Sequence, residues 1–151
     1  MKYTKLLPLL FLLSFALNAQ ERPLNIGLSL DEQYSFIGLT LAELIERFGP
    51  PRTVFAARGN EIWQDDVVFQ YTSVDFYIFR DRVWQVRFAS THNIANGDSK
   101  TNVLWALGSR AQDWGAYILM PITDRDWPLT LRVNFNASAQ VSAIFLYRSD
   151  F

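Results

Sequence analysis

Side chains that could do chemistry are few in this chain and widely spaced. It contains one histidine, His92, and no cysteine. A transition-metal site would have to combine that single imidazole with carboxylates, because thiolates and further imidazoles are missing. We interpret His92 as part of a polar linker over residues 91–96. The sequence therefore predicts neither a metal site nor a cofactor.

Two groups of carboxylates lie near predicted loops, Asp65 with Asp66 and Asp124 with Asp126. A glycosidase needs two carboxyl groups that face each other across a cleft, about 5 to 10 Å apart. Neighbouring residues of an extended segment point to opposite faces, so solvated turns are the favoured interpretation. The sequence also has no Gly-x-Ser-x-Gly elbow and no Gly-rich phosphate loop. We predict that the protein is not an enzyme and has no catalytic residues.

The aromatic residues are the positive indication of function. Of the five tryptophans, we interpret Trp84 and Trp105 as residues that close the ends of the core. Tryptophans in loops can anchor a protein partner or form a platform for a sugar ring. Trp63, Trp114 and Trp127 are therefore the candidate partner-binding residues, with core closure as the alternative for each.

Two similar segments, residues 38–49 and 97–108, predict the helices of the fold. In each, a hydroxyl residue that can cap a helix, Thr40 or Ser99, precedes an apolar stripe that ends at a glycine. Thr40 and Glu43 additionally have the spacing of a capping box. The similarity between the two segments predicts an internal repeat.

The hydrophobic period changes from about 3.6 to 2 after each predicted helix. Runs of β-branched and aromatic residues then predict strands at 54–57, 67–71, 74–79 and 83–88, and again at 117–121, 129–135 and 141–147. We expect an α+β fold in which two tandem helix-plus-antiparallel-sheet (αβββ) repeats, 36–90 and 91–151, share one core. Phe48 and Leu107 are expected to be buried at equivalent helix positions.

The first residues have the features of a signal peptide. Lys2 and Lys5 precede an apolar stretch at 6–17, which is shorter than the roughly 20 residues of a spanning helix. We expect cleavage after Ala19, with a retained anchor as the alternative, and an extended leader over 20–35. The 14 basic and 15 acidic residues are interspersed, so no nucleic-acid partner is expected.

The segments 38–40 and 49–51, with strands and Trp84 downstream, resemble the small outer-membrane assembly lipoproteins called BamE or SmpA. Two such units in tandem resemble the β-lactamase inhibitory protein. The lipid-bearing cysteine of BamE-like proteins is absent here. The resemblance implies a fold and a protein-binding function, but it identifies no individual functional residue.

These observations lead to one functional expectation and one alternative. We expect a periplasmic or secreted, non-enzymatic binding protein that acts through an envelope or outer-membrane protein partner. The alternative is a periplasmic small-ligand or glycan-binding protein that uses loop tryptophans. We expect no transmembrane span after removal of the signal peptide.

Overall fold

The structure of the protein is a computed structural model that describes residues 27–58 and 66–150. The predicted signal peptide, Trp63 and Asp65 lie outside these residues. Within the described part, no helix has both the length and the apolar character that crossing a membrane requires.

Three α-helices, a short 3-10 helix (Gly108–Arg110) and ten strands make up the regular structure of the described residues. The helices are α1 (Leu30–Tyr34), α2 (Leu41–Phe48) and α3 (Lys100–Leu107). The strands are β1 (Thr53–Ala57), β2 (Asp66–Gln70), β3 (Val74–Phe79), β4 (Arg82–Phe88), β5 (Ser90–Thr91), β6 (Ile94–Ala95), β7 (Gln112–Asp113), β8 (Tyr117–Ile122), β9 (Leu129–Phe135) and β10 (Val141–Arg148).

Eight of these strands form one antiparallel sheet in the order β1-β2-β3-β4-β10-β9-β8-β7. Strands that follow each other along the chain are neighbours, except at the centre, where β4 pairs with β10. At this seam Val86 lies opposite Leu146, and Phe88 lies opposite Ile144. Strands β5 and β6 form a separate small hairpin before α3. The central pair therefore joins both halves of the sheet into one layer.

The predicted helices α2 and α3 are present with their predicted caps. The Thr40 hydroxyl accepts from the amide of Glu43 in a complete capping box, and the Ser99 hydroxyl accepts from the third helical amide of α3. Gly49 and Gly108 end the helices with φ angles of 77° and 64°. Positive φ costs glycine little, so these residues stop each helix without backbone strain.

A glycine turn ties the start of each of these helices to the centre of the sheet. The amide of Gly38 donates to the carbonyl of Val83 at 2.8 Å, and that of Gly97 donates to Val141 at 2.9 Å. Both glycines have strongly positive φ, 93° and 91°. Strands β4 and β10 therefore each hold one helix against the same face of the sheet.

This covered face, the sheet surface beneath the helices, contains the main core. Phe36, in the turn between α1 and α2, is fully buried and contacts three aromatic rings at centroid distances of 5.3 to 6.2 Å. Those rings belong to Phe48, Phe76 and Phe88. Phe48 and Leu107 are 7% and 5% exposed, which confirms that both are buried.

The predicted fold class is wrong. The described residues form a mostly β structure, with eight of ten strands in one antiparallel sheet, rather than an α+β arrangement of two tandem helix-plus-sheet repeats. The helices are too short to form a layer as extensive as the sheet, since α1 has 5 residues and α2 and α3 have 8 each. The extended leader over 20–35 is also wrong at its end, because Ser29 caps the helix α1 there.

Candidate binding face of the sheet

The sheet surface opposite the helices carries a second set of large side chains. Side chains alternate between the two faces along a strand, so residues between the buried positions of the covered face point the other way. We call this surface the open face. Its central residues are all partly exposed. They are Tyr77 on β3, Trp84, Gln85 and Arg87 on β4, Phe145 and Tyr147 on β10, Arg132 and Asn134 on β9, and Tyr117 and Leu119 on β8.

A β-bulge on β4 places Trp84 on the open face. Val83 pairs with Ile78 and Gln85 pairs with Tyr77, so Trp84 is the extra residue of the bulge. A bulge of this kind re-aims side chains locally. The indole Nε1 of Trp84 donates to the Asp66 carboxylate at 2.9 Å, which fixes the ring. Trp84 therefore does not close the core as predicted.

Aromatic rings and one arginine continue across the middle of the open face. The rings of Tyr77 and Phe145 meet edge to face, with centroids 6.2 Å apart. The guanidinium carbon of Arg132 lies 4.2 Å from the centroid of the Tyr117 ring, and its Nε donates to Oδ1 of Asn134 at 2.8 Å. Cation–π contact and hydrogen bond together hold this guanidinium in one orientation.

A cleft of about 450 Å³ lies at the centre of the open face. Its lining residues combine flat apolar surface with hydrogen-bonding groups. They are Trp84, Gln85, Arg132, Asn134, Phe145 and Tyr147. Rings with polar tips and an oriented guanidinium are the groups that anchor protein interfaces.

The second cation of the open face is balanced by an acid. Arg87 lies 3.5 Å from the carboxylate of Asp75, which is largely buried. Burial raises the pKa of the Asp75 carboxyl, and the charge of Arg87 partly opposes that rise. Burial also raises the pKa of Tyr77, with a further contribution from the negative charge of Asp75. This pair neutralises itself and offers little charge to a ligand.

The structure separates the described candidate tryptophans. Trp114 is 60% exposed and stacks on Tyr117 at 6.4 Å, so it extends the open face at the β8 end. Trp127 lies in the loop between β8 and β9, where Arg148 covers its ring at 3.9 Å. Its Nε1 is 3.2 Å from where a Cβ on Gly38 would be. Trp127 thus packs on the turn before α2, while Trp63 lies outside the described residues.

Trp105 also differs from its predicted place in the core. It is 81% exposed on α3, whereas Val103 and Leu107 on the same helix are buried. A residue two positions from Val103 points to nearly the opposite side of a helix, since each residue turns it by about 100°. Trp105 therefore lies on the outer surface of α3, away from the sheet.

His92 is part of a hydrogen-bond chain and not of a plain linker. Its Nε2 is 2.7 Å from the Tyr34 hydroxyl, and its Nδ1 is 2.9 Å from the Thr91 hydroxyl. Thr91 donates its proton to Oε1 of Gln33, whose amide nitrogen donates to the Leu28 carbonyl. Nδ1 must therefore carry the proton of the neutral imidazole, and Tyr34 donates to Nε2.

This chain attaches the α1 segment to the turn between β5 and β6. His92 and Asn93 adopt positive φ angles of 53° and 59° at that turn. Burial lowers the pKa of His92 to about 4, and the positive charge of Arg110 acts in the same direction. A cleft of about 440 Å³ borders the chain. Because the polar groups of His92 and Thr91 already bond to other residues of the protein, we interpret this region as a structural link.

The carboxylates named from the sequence do not converge among the described residues. Asp66 accepts from Trp84, while Asp124 accepts from its neighbour Thr123 in the loop after β8. Arg125 in the same loop pairs instead with Asp31 of α1. No group of three or more His, Asp or Glu side chains suited to a metal ion occurs within 27–58 and 66–150.

Comparison with known proteins identifies no family. No family model matches the chain, and no curated protein matches it. Among solved structures, it is similar to the 1.5 Å crystal structure of an extracellular protein containing a SCP domain from Bacillus anthracis str. Ames, with a TM-score of 0.49 and 10% identity. The match covers 87% of this chain and 50% of that one, so the chain spans about half of that protein's length.

Proposed function

We propose that the protein is an exported, non-enzymatic binding protein that holds a protein partner in the cell envelope against its open face. The cleft of about 450 Å³ between Trp84, Phe145, Tyr147 and Arg132 is the observation that carries this proposal. Along a strand with one face exposed to solvent, the residues on that face are ordinarily polar. Large aromatic residues at these positions favour a surface that is used for recognition.

The extent of the open face favours a protein over a small molecule. The face spans five neighbouring strands, with aromatic residues from Tyr77 on β3 to Tyr117 on β8 and with Arg132 and Asn134 on β9. Neighbouring strands lie about 4.8 Å apart, so this surface is about 19 Å wide. Small ligands are usually enclosed in a cleft, so an open surface of this width suits a larger partner such as a protein. Trp114 extends this surface further at one end.

The location in the envelope rests on the sequence. Lys2 and Lys5 with the apolar stretch at 6–17 support export, and the BamE-like features of 38–40 and 49–51 support a partner in the envelope. N-terminal sequencing of the exported protein, expected to begin at Gln20, tests this part separately.

A glycan-binding protein is the second candidate. The parallel stack of Trp114 on Tyr117, with an interplanar angle of 17°, presents a flat ring of the kind on which sugars stack. The polar groups of Gln85 and Asn134 are within the same face. Retention on cell-wall polysaccharide that Trp114→Ala abolishes and Phe145→Ala leaves unchanged would favour this candidate.

Site-specific photocrosslinking in the native cells tests the protein-binding proposal. A photoreactive phenylalanine analogue at Phe145 should give a discrete protein adduct. The same analogue at Trp105, an exposed aromatic position on α3, is the matched control and should give none. Adducts at Trp105 alone, or none at Phe145 under conditions where the protein is folded and exported, would contradict the proposal.

A further inference from the structure

Arg132 is the central cation of the cleft, and its cross-strand neighbours are apolar. On β9 it lies opposite Phe145 of β10 on one side and Leu119 of β8 on the other. The Tyr117 ring lies beneath its guanidinium at 4.2 Å. An arginine in such surroundings is partly desolvated, which strengthens its interaction with any anion that reaches it.

No carboxylate of the described residues neutralises Arg132. The ion pairs found there are Arg87 with Asp75, Lys100 with Asp113, Arg125 with Asp31 and Arg148 with Asp150. Arg132 instead donates from Nε to the Asn134 amide oxygen. Its two terminal nitrogens make no hydrogen bond within the described part. They form a fixed fork, and this geometry matches a carboxylate.

The groups beside Arg132 are donors as well. Because Oδ1 of Asn134 accepts from Arg132, the remaining amide nitrogen of Asn134 is a donor. Gln85 and Tyr147 line the same cleft and make no side-chain hydrogen bond within the described residues. Among the described residues that line the cleft, an anion would meet several donors and no acidic side chain.

We infer that the cleft receives an Asp or Glu side chain of the protein partner, bound by Arg132 and enclosed by the rings of the open face. This inference rests on the proposed function, since it names the chemistry of the partner at that same face. A carboxylate on a protein is favoured over a free anion because Trp84, Phe145 and Tyr147 surround the cation with surface that only a larger apolar ligand would cover.

Selection from a phage library of random linear peptides on the purified protein provides the probe. Peptides whose binding is lost with Phe145→Ala are kept as ligands of the open face. We expect them to share an Asp or Glu next to apolar residues. Changing that acid to its amide, or Arg132 to Met, should each weaken binding about tenfold, which is the effect of a hydrogen bond to a charged group.

The two changes together should cost little more than either alone, because they remove the same interaction. Arg132→Lys should restore part of the affinity. Arg80→Met is the matched control, because Arg80 also covers an aromatic ring, at 5.1 Å, but lies in the turn between β3 and β4 outside the cleft. That variant should bind the peptides as the unchanged protein does.

The possible failures are distinguishable. Peptides that require Phe145 but show no dependence on an acid would overturn the role of Arg132 and leave the proposed function standing. If no selected peptide requires Phe145, both proposals are wrong. If a glucuronate-containing oligosaccharide binds through Arg132 while peptides do not, the anion is recognised on a glycan, and the assignment to a protein partner is overturned.

Discussion

The two faces of the eight-stranded sheet carry similar types of residue in different roles. On the covered face, Phe76 is fully buried and contacts the rings of Phe36 and Phe48. On the open face, Phe145 is partly exposed and meets Tyr77 edge to face. Aromatic content alone therefore does not distinguish core from binding surface.

Enclosure and access to polar groups distinguish these faces. The rings around Phe76 are buried, and the hydroxyl of Tyr71 among them already donates to the Gly49 carbonyl. The rings around Phe145 lie beside the partly exposed side chains of Arg132, Gln85 and Asn134. A side chain with an apolar body and a hydrogen-bonding end suits a surface that contacts water in the free protein and is buried when a partner binds. Each experiment below compares a feature of one face, or of its margin, with a matched position.

The largest expected effect is on the covered face. Phe76→Ala should lower the free energy of unfolding by about 3 to 5 kcal/mol, because it leaves a cavity between Phe36 and Phe48. Urea denaturation followed by tryptophan fluorescence measures this loss. Trp105→Ala is the control and should cost at most about 0.5 kcal/mol, since Trp105 is largely exposed. Similar losses for the two variants would break the contrast between the faces.

The next effect concerns the glycine turns that enter the covered face. Gly38 and Gly97 both have positive φ, so alanine strains either turn by about 1 to 2 kcal/mol. At Gly38 the new Cβ would also lie 3.2 Å from Trp127, whereas nothing lies within 4 Å at Gly97. We expect Gly38→Ala to cost about 1 kcal/mol more than Gly97→Ala.

Denaturation of both glycine variants, alone and with Trp127→Ala, checks the cause of that difference. The extra loss at Gly38 should disappear when Trp127 is already alanine, because the steric conflict is then removed. Equal losses at both turns would show that the indole gives way without cost.

A smaller effect should appear with pH at the margin where α1 docks. Burial holds the pKa of His92 at about 4 in the folded protein, below the ordinary value of 6.5 for histidine. The imidazole of His92 is therefore protonated below about pH 6.5 in the unfolded chain, but only below about pH 4 in the folded protein. Stability from this residue is complete above pH 6.5 and falls through that window, by about 1 to 2 kcal/mol between pH 7 and 5.

His92→Gln separates this contribution from those of the acids. The difference in unfolding free energy between protein and variant should shrink as pH falls from 7 to 5, because glutamine does not titrate. A difference that stays constant over this range would show that His92 is not held neutral by its contacts with Tyr34 and Thr91.

The smallest expected effect on stability is on the open face. Phe145→Ala should lower the unfolding free energy by about 1 kcal/mol, the scale of one aromatic cross-strand contact. Calorimetry of the purified variant measures this loss beside that of Phe76→Ala. A loss near that of Phe76 would mean that Phe145 belongs to a core, and the open face would lose its interpretation as a binding surface.

Local chemistry made part of the fold predictable. Thr40, Glu43 and Ser99 are caps by residue type and spacing, and the structure confirms both helices. The predicted strands correspond closely to β1–β4 and β8–β10. Helix caps and strand patterns depend on residues that are close together in the sequence, so they can be predicted from one sequence alone.

Features set by distant residues were not predictable in the same way. The pairing of β4 with β10 joins the strands into one sheet, and no local pattern marks it. The bulge at Trp84 depends on the register against Ile78. Trp105 was the exception, because the apolar stripe of Val103 and Leu107 already placed it on the other side of α3. For the site, the composition indicated tryptophans. Arg132 and Phe145 could not be recognised from the sequence, because only the pairing of β9 with β10 brings them together in the cleft.

The seam between β4 and β10 has a consequence for how the chain folds. Its paired residues, such as Phe88 and Ile144, are about sixty positions apart, and contacts of such separation form slowly. Strands β1–β4 and β7–β10 can each pair locally first, and each set then presents an unpaired edge rich in Val, Phe and Ile. Until these edges meet, each is a template for strands of other molecules. Closing this seam is therefore also the step that ends the period in which the chain is prone to aggregate.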